Sequence, residues 1–239
     1  MDRISPTRPP EGLSPAGFQT WKHLLFAHWS VPAEVMRAVV PPELELDLWD
    51  GRAWVGVVPF AMHDIRPAWL PQPLAMDFLE TNLRTYVSYK GEPGVFFFSL
   101  EASSLVAVKA ARWGWGLPYF HAEMSASFEG EEKAAASRRA GDPSATLDTR
   151  FIVEVALPPA DPASFEFFLL ERYYLFNLRR GAVWKGHVHH VPYPAYRARV
   201  LSMSCGLVAA AGLPAVTTLP EVAHYSPGVD VAVYGPWKL

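Results

Sequence analysis

Glu80-Thr81-Asn82-Leu83-Arg84-Thr85-Tyr86-Val87 alternates in character with period two, the signature of a β-strand. One face carries Glu80, Asn82, Arg84, Tyr86 and Ser88; the other carries Thr81, Leu83, Thr85, Val87 and Tyr89. A second strand, Val95-Phe96-Phe97-Phe98-Ser99-Leu100-Glu101, follows the turn-rich Gly91-Glu92-Pro93-Gly94. With those four residues as the hairpin loop, Lys90 faces Val95, Tyr86 faces Ser99 and Arg84 faces Glu101. This register gathers the polar groups on one side. It sets Phe96, Phe98 and Leu100 beside Leu83 and Val87 on the other. The apolar side is a core. The polar side is either wet outer surface or the lining of a cavity, and the pattern leaves both open.

The rest of the chain is consistent with a mainly β domain. Trp21–Trp29 reads as a strand and Pro32–Val40 as a short helix closed by Pro41-Pro42. Leu44–Leu48 and Ala53–Phe60 flank Asp50-Gly51, a strong hairpin signal. Ser104 is placed to cap a helix running to about Trp113, and strand character follows from Tyr119 to Phe128. The charged, Ala/Ser-rich segment 130–150 reads as a loop, and Phe151–Leu157 as a strand. Ser164–Phe176 reads as a helix, Ala182–Val191 as a strand, 195–211 as mixed strand and helix, and Val229–Tyr234 as a last strand. Twenty-three prolines spread along the 239 residues argue against long helices. Nine Trp, nine Tyr and fourteen Phe favour strands and aromatic-lined pockets. Residues 1–17 read as a flexible N-terminal arm and 18–239 as one domain.

Net charge is −3 with no basic tract, which makes nucleic acid an unexpected partner. The single cysteine, Cys205, excludes an intramolecular disulfide framework and fits a reducing cytosol. The N-terminus lacks the apolar core of a signal peptide, and no apolar run is long enough to span a bilayer. The expectation is a cytoplasmic protein without a membrane partner; a homo-oligomer is left open.

Four groups of side chains carry potential chemistry. Glu80, Asn82, Arg84, Tyr86 and Glu101 would surround a small ligand if their face is enclosed. Arg84 then offers a planar fork for a carboxylate, and a buried Glu80 or Glu101 offers an acid or base. On a solvent-facing strand the same residues are ordinary cross-strand charge pairs. His187, His189 and His190 lack acidic or cysteine neighbours in sequence, so no metal is assigned. Cys205 has no readable base beside it and reads as a small buried residue. Lys109, alone in Leu105–Ala111, sits at the edge of the apolar helix stripe and reads as exposed.

Several motifs in order resemble the YqjF-like family of uncharacterised bacterial proteins. They are Leu25-Phe26-Ala27-His28-Trp29, the 80–87 strand, Phe98-Ser99-Leu100-Glu101-Ala102, and Ala111-Arg112 with Gly116-Leu117-Pro118-Tyr119. Phe168-Leu169-Leu170-Glu171-Arg172-Tyr173, His190-Val191-Pro192-Tyr193-Pro194 and His224-Tyr225-Ser226-Pro227-Gly228-Val229 continue the match. That family is distantly similar to acetoacetate decarboxylase, in Val39-Val40-Pro41 with Leu44-Glu45-Leu46-Asp47 and in Arg112 leading to a Gly/aromatic-Pro step. The resemblance implies a mainly β, closed, cone-like antiparallel barrel with a few short flanking helices and a central pocket. The decarboxylase carries a catalytic lysine pair directly after the proline of that step, where this chain has Tyr119 and Phe120. Without an amine there, the Schiff-base electron sink is missing unless Lys109 or Lys185 reaches the pocket.

The resulting expectation is a small-molecule-binding barrel, without an assigned cofactor, that takes an anionic ligand. As an enzyme it would act on a carbonyl or carboxylate compound by acid–base chemistry. Glu80, Glu101 and Tyr119 are the catalytic candidates. Arg84, Asn82, Tyr86, Arg112 and His28 are the ligand-binding candidates. A non-catalytic binding or sensor protein with the same pocket is the alternative.

Overall fold

The computed structural model describes residues 1–239. Twelve strands form a single sheet: β1 (Gly17–Val31), β2 (Glu45–Leu46), β3 (Ala53–Pro67), β4 (Met76–Tyr89), β5 (Glu92–Ala102) and β6 (Tyr119–Ser127), then β7 (Glu132–Arg139), β8 (Thr146–Ala156), β9 (Tyr174–Arg179), β10 (Ala182–His189), β11 (Tyr196–Cys205) and β12 (Val222–Lys238). Four short helices accompany them: α1 (Ala33–Arg37), α2 (Leu105–Gly114), α3 (Phe165–Leu170) and α4 (Leu207–Ala210). None is long and apolar enough to cross a membrane.

The sheet closes on itself in two ways. The run β12-β1-β3-β4-β5 is shared. It is completed on one side through β9 and β10, which pairs back onto β12, and on the other through β6, β7, β8 and β11. All pairings are antiparallel except those of β5 with β6 and β9. The shared wall is therefore buried on both faces. Its strands consequently read as continuous apolar runs, such as Leu24–Ala27 in β1. Leu24 and Phe26 join one core with Phe60 and Leu100; Leu25 and Ala27 join the other with Leu83 and Phe151.

The β4–β5 hairpin departs from the sequence register in two steps. The loop is Lys90-Gly91, both at positive φ (50° and 83°), a two-residue turn whose twist suits the flanking strands. Tyr86 thus pairs with Val95 and Arg84 with Phe97. That shift alone would leave the faces unchanged. A bulge between Leu83 and Arg84 then inserts one extra residue on β5, so Leu83 pairs with Ser99 and Thr81 with Glu101. Beyond the bulge the faces of β5 exchange. Leu100 turns to the side of Glu80, Asn82 and Arg84, and Glu101 turns away. The expected Arg84–Glu101 pair does not form.

Other differences have similar tertiary causes. Leu44–Leu48 does not make a hairpin with Ala53–Phe60; β2 pairs with β4 (Glu45 opposite Ser88), and Asp50-Gly51 closes only the Trp49–Arg52 bridge. Segment 130–150 is not a loop but β7 and the start of β8, joined around Gly141. The helix expected to reach Phe176 stops at Leu170, and β9 takes over against β5 and β10. Ser104 caps α2 as read, accepting from the Ala107 N–H at 3.3 Å.

Packing around β9 yields a first prediction. A Cβ on Gly94 would stand 2.7 Å from the Phe176 ring and 2.7 Å from the Tyr174 carbonyl oxygen. The backbone oxygen cannot swing aside as a side chain can. Gly94→Ala should therefore destabilise the protein by about 1–3 kcal/mol, measured as a shift of the urea midpoint at unchanged m-value.

Candidate active site

The cavity occupies one side of the shared wall, at about 520 Å³. Of the 36 residues around it 27 are hydrophobic, so its few polar groups define what it can do. Glu80, Asn82 and Arg84 project into it from alternate positions of β4. Tyr119, the first residue of β6, enters from beside Leu100. Trp69 and Trp113 also line the cavity, yet they are 80% and 84% exposed and so mark its mouth.

Glu80 is buried, and the Tyr119 hydroxyl donates to its Oε2 at 3.0 Å. Burial pushes the Glu80 carboxyl up to about 8, against the opposing hydrogen bonds of Tyr119 and Asn82. A carboxyl raised to about 8 is mostly protonated at pH 7. Burial, with the adjoining carboxyl, holds Tyr119 well above the ordinary phenol range.

Arg84 is nine-tenths buried. Its Nη2 donates to the Leu169 carbonyl at 3.0 Å, its Nε has no partner, and no carboxylate neutralises it. The Tyr86 hydroxyl donates to the same carbonyl at 2.7 Å, and His28 Nε2 lies 2.7 Å from that hydroxyl. A helix end leaves its last carbonyls free, and α3 exposes that of Leu169 to these two donors. Tyr86 and His28 thus form a buried support behind Arg84 rather than the cavity wall. With its hydroxyl proton committed to Leu169, Tyr86 accepts from His28. Burial, followed by the nearby Arg84 charge, keeps His28 neutral.

Two of the candidates lie elsewhere. Glu101 points into the opposite core, where Arg139 Nε and Nη2 donate to its Oε1 at 3.0 and 2.5 Å and Ser99 Oγ donates to Oε2 at 3.1 Å. Arg112 is exposed; its Nε donates to the Tyr119 carbonyl at 2.5 Å and its guanidinium covers the Phe120 ring. It positions the backbone of Tyr119 and does not line the cavity.

Sequence reasoning missed Arg172 and Asp47. Arg172 lines the cavity, donates from Nε to the Phe168 carbonyl at 2.7 Å and from Nη1 to Asp47 Oδ2 at 2.7 Å, and leaves Nη2 unpartnered. Asp47 also accepts from Arg3 at 2.6 Å. Through Arg3 the N-terminal segment reaches the rear of the site. Farther along that segment the Pro6 and Thr7 carbonyls accept from His187 Nε2 and His189 Nδ1 at 2.8 and 3.1 Å. The signal in sequence was weak: Asp47 and Arg172 lie 125 positions apart, each with other charges close by in sequence (Glu45 and Asp50, Glu171) that do not single it out.

No lysine, histidine or cysteine lines the cavity. Lys109 is exposed on α2, and Lys185 Nζ is held by both oxygens of Glu92 at 2.9 Å. Cys205 is buried, which pushes its thiol up to about 11.

Residues 18–230 match the family DUF2071, described as an uncharacterized conserved protein. The uncharacterized protein YqjF of Bacillus subtilis (strain 168) is 38% identical over 217 residues, 89% of this chain and 88% of that protein. Among solved structures, the enduracididine biosynthesis enzyme MppR, complexed with the condensation product of pyruvate and imidazole 4-carboxaldehyde, superposes with a TM-score of 0.65 at 14% identity, covering 95% of this chain and 90% of that one. An acetoacetate decarboxylase-like enzyme from Sphingomonas wittichii RW1 gives 0.62 at 14% identity over 95% and 94%. Acetoacetate decarboxylase from Legionella pneumophila gives 0.58 at 15% over 96% and 92%. At such identities the likeness is one of fold. The chain belongs to the DUF2071 family of uncharacterized conserved proteins, alongside YqjF, and it has the acetoacetate decarboxylase-like fold.

Proposed function

We propose that the protein binds a small carbonyl- or carboxylate-containing compound in this cavity and acts on it by general acid chemistry. The observation that carries the reading is the enclosed Glu80–Tyr119 pair, with the uncompensated Arg84 on the same strand face. A neutral Glu80 gives its proton to the carbonyl oxygen of the ligand as the carbon-bound proton beside that carbonyl leaves to water, producing the enol. The Glu80 carboxylate left behind accepts from Tyr119. Reversal returns both protons. An acid with a pKa near the working pH suits this role, and Tyr119 and Asn82 lower the cost of the charged form.

The test is deuterium exchange. The protein should accelerate exchange of the carbon-bound protons of a 2-oxo acid in D2O, followed by NMR, and Glu80→Gln should lose at least about a hundredfold of that acceleration, the lower end of what general acid catalysis contributes. No acceleration by the parent protein would remove the catalytic reading. The second reading, a non-catalytic binding or sensor protein, is favoured by a cavity lining that holds no serine, threonine, cysteine, histidine or lysine. It predicts ligand binding without exchange.

The chemistry proposed for this pocket excludes an imine. Incubation with acetoacetate and borohydride should leave the mass of the protein unchanged, because reduction traps only a lysine imine and no lysine faces the cavity. A single modified lysine would restore a Schiff-base mechanism.

A further inference from the structure

We infer that the ligand is a monocarboxylate with a bulky apolar body, bound carboxylate inward on Arg84 with its body reaching toward Trp69 and Trp113. The inference rests on the reading of the cavity as a ligand site and goes further by naming the ligand class and its orientation.

Charge decides the head group. Four ionisable side chains of full-charge type border the cavity: Glu80, Arg66, Arg84 and Arg172. Arg66 is matched by Asp64 at 2.8 Å, and Arg172 is paired with Asp47 at 2.7 Å, an aspartate that it shares with Arg3. Glu80 is held by Tyr119. Only Arg84 is a buried cation with no acidic partner, and its Nε is without an acceptor. Arg172 Nη2 is a second buried donor without a partner on the same cavity. A guanidinium deprived of both water and counter-charge is costly, and an anion with two in-plane oxygens removes that cost. A carboxylate has that shape.

Wall composition and size decide the rest. Glu80, Arg84, Arg172 and Tyr119 are buried polar members of the lining; Asn82, Gln19 and the Asp64-paired Arg66 are partly exposed, and most of the remaining wall is apolar up to the two tryptophans. A small acid such as acetate would leave most of that surface facing water. At roughly one water's volume share per non-hydrogen atom, about 30 Å³, the cavity of about 520 Å³ holds on the order of 17 such atoms. Apolar contact over that area contributes at roughly 25 cal/mol per Å².

The experiment is isothermal titration of the full chain with 4-phenylbutyrate, with 4-phenylbutan-1-ol as its uncharged counterpart, and with acetate, all at neutral pH. The acid should bind at least about tenfold more tightly than the alcohol and at least about a hundredfold more tightly than acetate. Arg84→Met should lose at least about tenfold for the acid and less than about twofold for the alcohol. Arg84→Lys, which keeps the charge but not the planar fork, should fall between the parent and Arg84→Met, and it serves if the Met variant does not fold. Equal affinity for acid and alcohol, or acid binding that survives at both Arg84 variants, overturns the carboxylate assignment. Acetate binding as tightly as 4-phenylbutyrate overturns the apolar body. Absence of binding by all three overturns the reading of the cavity as a ligand site as well. Arg84-dependent acid binding without deuterium exchange removes only the catalytic proposal and leaves this inference standing.

Discussion

Replacing Arg139 with leucine is expected to destabilise the protein by about 3–5 kcal/mol, the usual cost of stranding one member of a buried ion pair. Glu101 has no exposed surface, and the Arg139 side chain is 10% exposed. Two guanidinium nitrogens converge on one carboxylate oxygen, and Arg139 also lies 4.0 Å above the Phe120 ring. The pair links β5 to β7 across β6. Burial raises the Glu101 carboxyl even with Arg139 opposing it. Without Arg139 the carboxyl must stay protonated to remain inside, so the loss should grow as pH rises. Urea unfolding at pH 5 and pH 8 measures this. Arg139→Leu combined with Glu101→Leu should recover most of the stability, because two apolar groups leave no buried charge. A single variant within about 1 kcal/mol of the parent at both pH values would show that water reaches the pair.

Glu80→Gln is expected to have the opposite effect. The Glu80 carboxyl titrates at about 8 in the folded protein against an ordinary value of 4.5. Between these values the folded state holds a proton that the unfolded state has released. Stability from this group is therefore complete below about pH 4.5, falls as pH rises toward 8, and is level beyond. Glutamine has nearly the same shape, accepts from Tyr119 and does not ionise. At pH 8 the variant should be more stable than the parent by about 3–5 kcal/mol, a difference that shrinks toward zero near pH 4.5. The parent-minus-variant difference cancels the other titrating groups. A difference independent of pH would mean that Glu80 is ionised throughout. Such a gain in stability alongside lost proton exchange would fit a residue kept neutral for function at the cost of stability.

The alternation of residues 80–89 determined which β4 side chains share the cavity, and this follows from the two-residue period of a strand whatever its neighbours do. The apolar runs of β1 and β3, the Ser104 cap and the absence of lysine at positions 119 and 120 were equally local and equally legible. Tertiary structure decided the rest. The bulge beside Leu83 turned Glu101 out of the site, because face assignment on β5 depends on an inserted residue that no local pattern marks. Strands β7 and β9 were hidden because their Ala/Ser-rich and aromatic residues become strands only when neighbouring ladders accept their backbone groups. The closure of the sheet through β10 and β12, which turns one face of β4 into a cavity, joins segments distant in sequence. Arg172, Asp47 and Arg3 meet for the same reason: the attraction between two charges depends on their separation in space, which is set only after the ring has closed.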